Sequence, residues 1–183
     1  MRRMVTVLIL ATTLATLIAT QQVSAAAWRL YHNATFGFSV SYPGDWVPFK
    51  APGTNLAIRT ADTNAVFDAS AQGNIPTPTA AELHQAVTSI LGSAGIARST
   101  KVQYSTTLIH GVKFTRGVAK LTRLTGQAIT FTGLVAYRAH TIYVFATALV
   151  IAVNGTPRAP APAQGRALAR VLASITITGP AVP

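Results

Sequence analysis

The sequence predicts a single α+β domain, a twisted and mainly antiparallel β-sheet flanked by helices. Three observations carry this. Phe36, Phe38, Val40 and Tyr42 alternate with Gly37, Ser39 and Ser41, so this stretch has period two with its large apolar residues on one side. The second half holds long β-type runs separated by short turn signals, the connectivity of hairpins. Two segments of helical period each carry one apolar stripe. The 183 residues show no internal repeat and no interdomain linker, so these elements share one core.

In chain order, Trp28 to Tyr31 reads as a short strand, Asn33-Ala34-Thr35 as a turn and Phe36 to Tyr42 as the second strand. Pro43-Gly44-Asp45 breaks it and delivers Trp46 into a third, Trp46 to Lys50. Leu56 to Thr60 and Ala65 to Ala71 are further strands. A loop with Pro76 and Pro78 leads to Thr79-Ala80-Ala81-Glu82, a capping box that starts a helix. Leu83, Val87, Ile90 and Leu91 form its buried face, and Gly92 and Gly95 are expected to end it. Val102 to Ile109 turns at His110-Gly111. Val112 to Leu124 and Ala128 to His140 make a hairpin through Thr125-Gly126-Gln127. Ile142 to Val153 is apolar on both parities, as a central strand covered on both faces would be. A Pro-rich loop precedes a helix near Ala163 to Ala173, with Leu168, Val171 and Leu172 inward and Arg166 and Arg170 outward. Ser174 to Thr178 is a last strand.

The N-terminus has an export pattern. Met1-Arg2-Arg3 precedes an apolar run from Val5 to Thr20, and small residues around Ala25 suit cleavage, so residues 1–25 read as a secretory signal peptide and 26–183 as the domain. The residues around Arg2-Arg3 favour ordinary export over a twin-arginine route. The expected location is secreted or extracytoplasmic, with N-terminal membrane anchoring if the segment stays uncleaved. No later segment has the length and apolarity of a spanning helix.

Composition narrows the chemistry. There is no cysteine, which excludes disulfides, thiol catalysis and thiolate metal sites. Lys and Arg number 15 against four acids, Asp45, Asp62, Asp68 and Glu82, for a net charge of +11. After Glu82 no acid occurs, so the second half carries a field that attracts anions.

The run Phe36-Gly37-Phe38-Ser39-Val40-Ser41-Tyr42-Pro43, followed by Asp45-Trp46, resembles the opening of PsbP-like domains, and Leu172 to Ile177 is similar to their usual close. The resemblance spans nearly all of the chain after the export segment. It implies the Mog1/PsbP-like α/β/α sandwich, known from an extrinsic photosystem subunit and a nuclear-import factor. It also implies a role in binding or assembly, with no shared catalytic set to carry over. The photosystem subunit's ion-retaining N-terminal extension has no counterpart in Ala26-Ala27, which argues against that role here.

The remaining residues give no catalytic signature. His32, His84, His110 and His140 each lack a second ligand at metal spacing. No nucleophile elbow or phosphate-binding glycine loop occurs; Gly92-Ser93-Ala94-Gly95 lacks the spacing. Asp45 reads as a turn residue and Glu82 as a cap, leaving Asp62 and Asp68, bordering the strand Ala65 to Ala71, as acids for a small polar site. No cofactor, metal ligand or catalytic residue is expected, and the chain is not expected to be an enzyme. Lys113, Arg116, Lys120, Arg123 and Arg138 are the expected contacts to an anionic partner. An unbroken strand divides Lys113 and Arg123 from Arg116 and Lys120, and a bulge at Gly117 would reunite some of them. The expected function is an accessory or assembly factor of the cell envelope that binds an acidic protein. Direct adsorption to anionic lipid or cell-wall polymer is the alternative, and a hydrolase with a dispersed site a third reading. Nucleic acid is not an expected partner, because Phe114 and Phe131 read as core instead of as stacking platforms.

Overall fold

A computed structural model describes residues 27–93, 101–122, 126–154, 156–157 and 161–179. The predicted signal peptide and Arg123 lie outside these residues. Strand β1 (Trp28–Asn33) pairs with β2 (Phe38–Pro43), and β11 (Thr176–Ile177) joins the other edge of β2. The turn between β1 and β2 is locked by Asn33, whose Oδ1 accepts from the Phe36 amide at 3.0 Å, and by Gly37 at φ +63°. Phe38, Val40 and Tyr42 are buried, as the alternation requires.

The main sheet contains β3 (Val47–Pro48), β4 (Leu56–Arg59), β5 (Ala65–Gln72), β9 (Thr141–Val153), β8 (Gln127–Arg138), β7 (Val112–Thr122) and β6 (Val102–Ile109), in that spatial order. A short β10 (Thr156–Pro157) pairs with β9. Each pairing is antiparallel. Helix α1 (Ala80–Ser93) covers β7 and β8 on one face. Helix α2 (Ala161–Ala173) covers the other face beside the three-stranded sheet. The single domain is therefore α+β as expected, with its strands in two sheets.

Each face has its own core. Below the sheet, Phe38 meets the edges of Tyr143 and Phe145 at centroid distances of 6.2 and 5.7 Å, and Phe67 and Phe114 complete the cluster. The Tyr143 hydroxyl, taken deep into this core, donates to the Phe36 carbonyl at 2.7 Å and so avoids an unpaired polar group. Above the sheet, Val87 and Leu91 of α1 pack on Ala119, Ile129, Phe131, Val135 and Val150. The helix sits close because Gly117 and Gly133 face each other beneath it. A Cβ at Gly117 would overlap the Val87 Cγ1 methyl.

Four boundaries differ from expectation. The strand at Trp46–Lys50 shrinks to Val47–Pro48, because Trp46 is drawn into the core in the bend before it. Helix α1 runs through Gly92 to Ser93, while Gly95 lies outside the described residues. The final strand shortens because Ser174 Oγ takes the Ser41 amide at 2.9 Å and caps α2 through the Val171 carbonyl at 2.7 Å. The β8–β9 hairpin turns through Ala139 and His140, both at positive φ (49° and 56°), a turn without the usual glycine signal.

Candidate functional site

Unbroken register sets the faces of the basic residues. Strands β6 and β7 pair continuously from Val102↔Ala119 to Ile109↔Val112, and β7 and β8 from Phe114↔Ala136 to Thr122↔Ala128. Gly117 therefore carries no bulge. Lys113 projects on the α1 face, with Ala119, whereas Arg116 and Lys120 project on the α2 face, with Phe114. Arg138 is on the α2 side, and its guanidinium donates to the Ile177 carbonyl at 2.8 Å, bridging the two sheets. Arg170 lies over the Trp28 ring at 4.2 Å, and Arg59 over Phe49 at 5.3 Å. Of the five expected contacts, Arg116 and Lys120 share a face, Arg138 is committed to structure, Lys113 faces away, and Arg123 lies outside the described residues.

Arg116 lines a cleft of about 390 Å³ where the β6–β7 turn meets the end of α2. Thr107, Ile109 and Leu134 supply sheet walls, and Leu172 and Ala173 supply the helix wall. A hydrogen bond of 2.9 Å between His110 Nε2 and the Ala173 carbonyl holds the rim. Among the described residues no carboxylate lines the cleft with Arg116, so its charge stands at an apolar opening. On the edge strand β6, Leu108, 70% accessible, and Tyr104 stand opposite Lys113 and Gly117 and so project on the α1 face, away from Arg116.

The acids have separate fates. Glu82 accepts from the Thr79 amide and hydroxyl, which holds its carboxyl below the ordinary value. Asp62 sits in a turn; burial works against its ionised form, but hydrogen bonds from Thr60, Asn64 and Gln164 win and hold its pKa low. Asp68 is different. It stands in the middle of β5, not at its border, and does not meet Asp62 in any cavity among the described residues. Its Oδ1 is buried and accepts no hydrogen bond among the described residues. Burial pushes its pKa up to about 6.

Asp68 lies in a groove of about 540 Å³ on the α1 face, between the sheet, the C-terminal part of α1 and the loop at 51–54. A smaller hollow of about 180 Å³ adjoins it past Ser70 and Val144. Its walls are mainly apolar: Ile90, Leu91, Phe131, Val66 and Pro52. None of the four histidines lines it. His32 binds Ser39, His84 stacks on Tyr104 at 4.7 Å, and His140 meets the Tyr137 hydroxyl. Sequence reasoning named Asp68 but missed the groove. The signal available was an acid at the centre of an alternating strand, where β-propensity disfavours it.

Comparison with solved structures gives the same architecture at low identity. Cyanobacterial PsbP (CyanoP) from Synechocystis sp. PCC 6803 superposes with a TM-score of 0.57 at 12% identity, covering 88% of this chain and 98% of its own. LpqN, involved in cell envelope biogenesis of Mycobacterium tuberculosis, gives 0.51 at 13%, covering 83% and 91%. A protein from Bacteroides thetaiotaomicron VPI-5482 gives 0.53 at 12%, covering 81% and 48%. No protein-family model and no curated protein sequence matches the chain.

Proposed function

We propose, starting from a chain of PsbP-like fold, that it is an extracytoplasmic, non-catalytic accessory protein of the cell envelope that binds an acidic protein partner. The observation that carries this reading is the Arg116 cleft: an apolar opening whose one cation meets no carboxylate among the described residues. Such an opening suits a partner segment that presents a carboxylate next to apolar side chains. Lys120, on the same face four residues further along β7, adds attraction from outside the cleft. The similarity to LpqN, a protein involved in cell envelope biogenesis, agrees with this setting, as does the export pattern of residues 1–25.

The test is capture from envelope extract at low and near-physiological salt. A shaped protein interface retains one stoichiometric protein at both, with a slower on-rate at the higher salt. Adsorption to lipid or polymer instead collapses steeply as the Debye length shortens from about 30 to about 8 Å. Recovery of no stoichiometric protein at either salt would defeat the reading.

A further inference from the structure

We infer that the groove over Asp68 is a binding site for a small organic cation, an ammonium head on an apolar body. Two features of the sheet create the site. In register, Asp68 lies between Ala57 of β4 and Ala146 of β9, and Ala146 in turn faces Gly133 and then Gly117. This row of small residues crosses the sheet. Over the two glycines the row is filled by Val87 of α1. Over Ala146 and Asp68 it is open, which makes the groove.

The chemistry of the ligand follows from what the groove lacks. A carboxyl oxygen without a hydrogen-bond partner, in a partly apolar wall, is costly to keep. Among the described residues, the surrounding charged and titratable groups leave it alone. On β4, Arg59 is over Phe49; on α1, His84 stacks on Tyr104 and Glu82 is tied to Thr79; on β8, the Tyr137 hydroxyl donates to the Ile75 carbonyl. Lys50, before the 51–54 loop, is exposed, and β9 brings Val144, Ala146 and Ala148 to this face. An ammonium supplies both charge and N–H donors to the carboxylate, and Ile90, Leu91 and Phe131 take the apolar body. An anion is excluded by Asp68 itself. The size is that of small-molecule sites, roughly 300–1,000 Å³.

Three matched probes test this with the intact protein: 4-phenylbutylamine, 4-phenylbutanol and 4-phenylbutyrate, titrated while methyl and carboxyl resonances are followed by NMR. The amine is expected to saturate the groove, shifting Ile90, Leu91 and Ala146, with affinity at least about tenfold above the other two, the size of one charge-assisted contact. That preference should fall about tenfold between pH 7 and pH 5 as the Asp68 carboxylate takes a proton. Asp68→Asn should bind amine and alcohol alike at both pH values. Ala146→Leu, which fills the row, should exclude all three probes and keeps the test alive if the first variant folds poorly. Equal binding of amine and alcohol by the unaltered protein would overturn the assignment. So would an amine preference surviving in Asp68→Asn, or Asp68 titrating at the ordinary aspartate value.

Discussion

Phe38 and Asp68 show how opposite residue chemistries are set by the same alternation. Phe38 is 1% exposed and touches three aromatic rings, Tyr31, Tyr143 and Phe145. Phe38→Ala is expected to cost about 3–5 kcal/mol by leaving a cavity, measured by denaturant unfolding; a loss below about 1 kcal/mol would mean the ring does not anchor this core. On β5, Phe67 and Ala69 go to the core and Asp68, between them, goes to the groove. Its folded pKa of about 6 lies above the ordinary 3.8, so the folded protein holds the proton more tightly than the unfolded chain. The contribution of this group to stability is therefore greatest in acid and is lost as pH rises through about 6. Asp68→Asn should flatten the stability profile between about pH 4 and pH 6, leaving the slope below that to Asp62 and Glu82. An unchanged slope in urea titrations across that range would show that the carboxyl is not desolvated.

At the scale of elements, the start of α1 was the most legible feature. Thr79 and Glu82 satisfy each other's backbone donors as the Thr-x-x-Glu pattern predicts, at 2.6 Å from the Thr79 amide to Glu82 and 3.3 Å from the Glu82 amide to Thr79. Thr79→Ala should lower stability by about 1 kcal/mol, read as a shift in denaturation midpoint with unchanged slope. The end of α1 was less legible. Glycine carries only a modest penalty inside a helix, and packing of Ile90 and Leu91 outweighs it at Gly92. The closeness of α1 to the sheet could not be read at all, because Gly117 and Gly133 are sixteen positions apart and only the register makes them neighbours. Gly117→Ala is expected to cost about 1–3 kcal/mol, since Val87 is β-branched and has little freedom to yield; a neutral result would contradict the close approach. The hairpin turn at Ala139-His140 escaped for a related reason. Its positive φ values are imposed by the long β8–β9 ladder, not by turn residues.

Across the whole molecule, the fold was legible because its signals are local and mutually consistent: alternation in β2, the double parity of β9, the capped α1 and the amphipathic α2. The division into two sheets was not, since it depends on long-range pairing of β2 with β11, across more than 130 residues. Charge was legible as a total and illegible as a surface. The net charge of +11 does not make one basic strip, because the parity of β7 sends Lys113 to the α1 face and Arg116 with Lys120 to the other. The sheet instead separates two hollows, one lined by a cation and one by an acid, neither with a counter-charge in its lining among the described residues. The proposed partner binding falls to the first of these faces. The most direct test measures the residence time of the envelope partner on three forms of the protein at near-physiological salt: unaltered, Arg116→Glu, and Lys113→Glu. Arg116→Glu should shorten residence by tenfold or more, about 1.4 kcal/mol, while Lys113→Glu leaves it within about twofold. Equal effects of the two reversals would reduce the interaction to net charge and contradict a partner site at the Arg116 cleft.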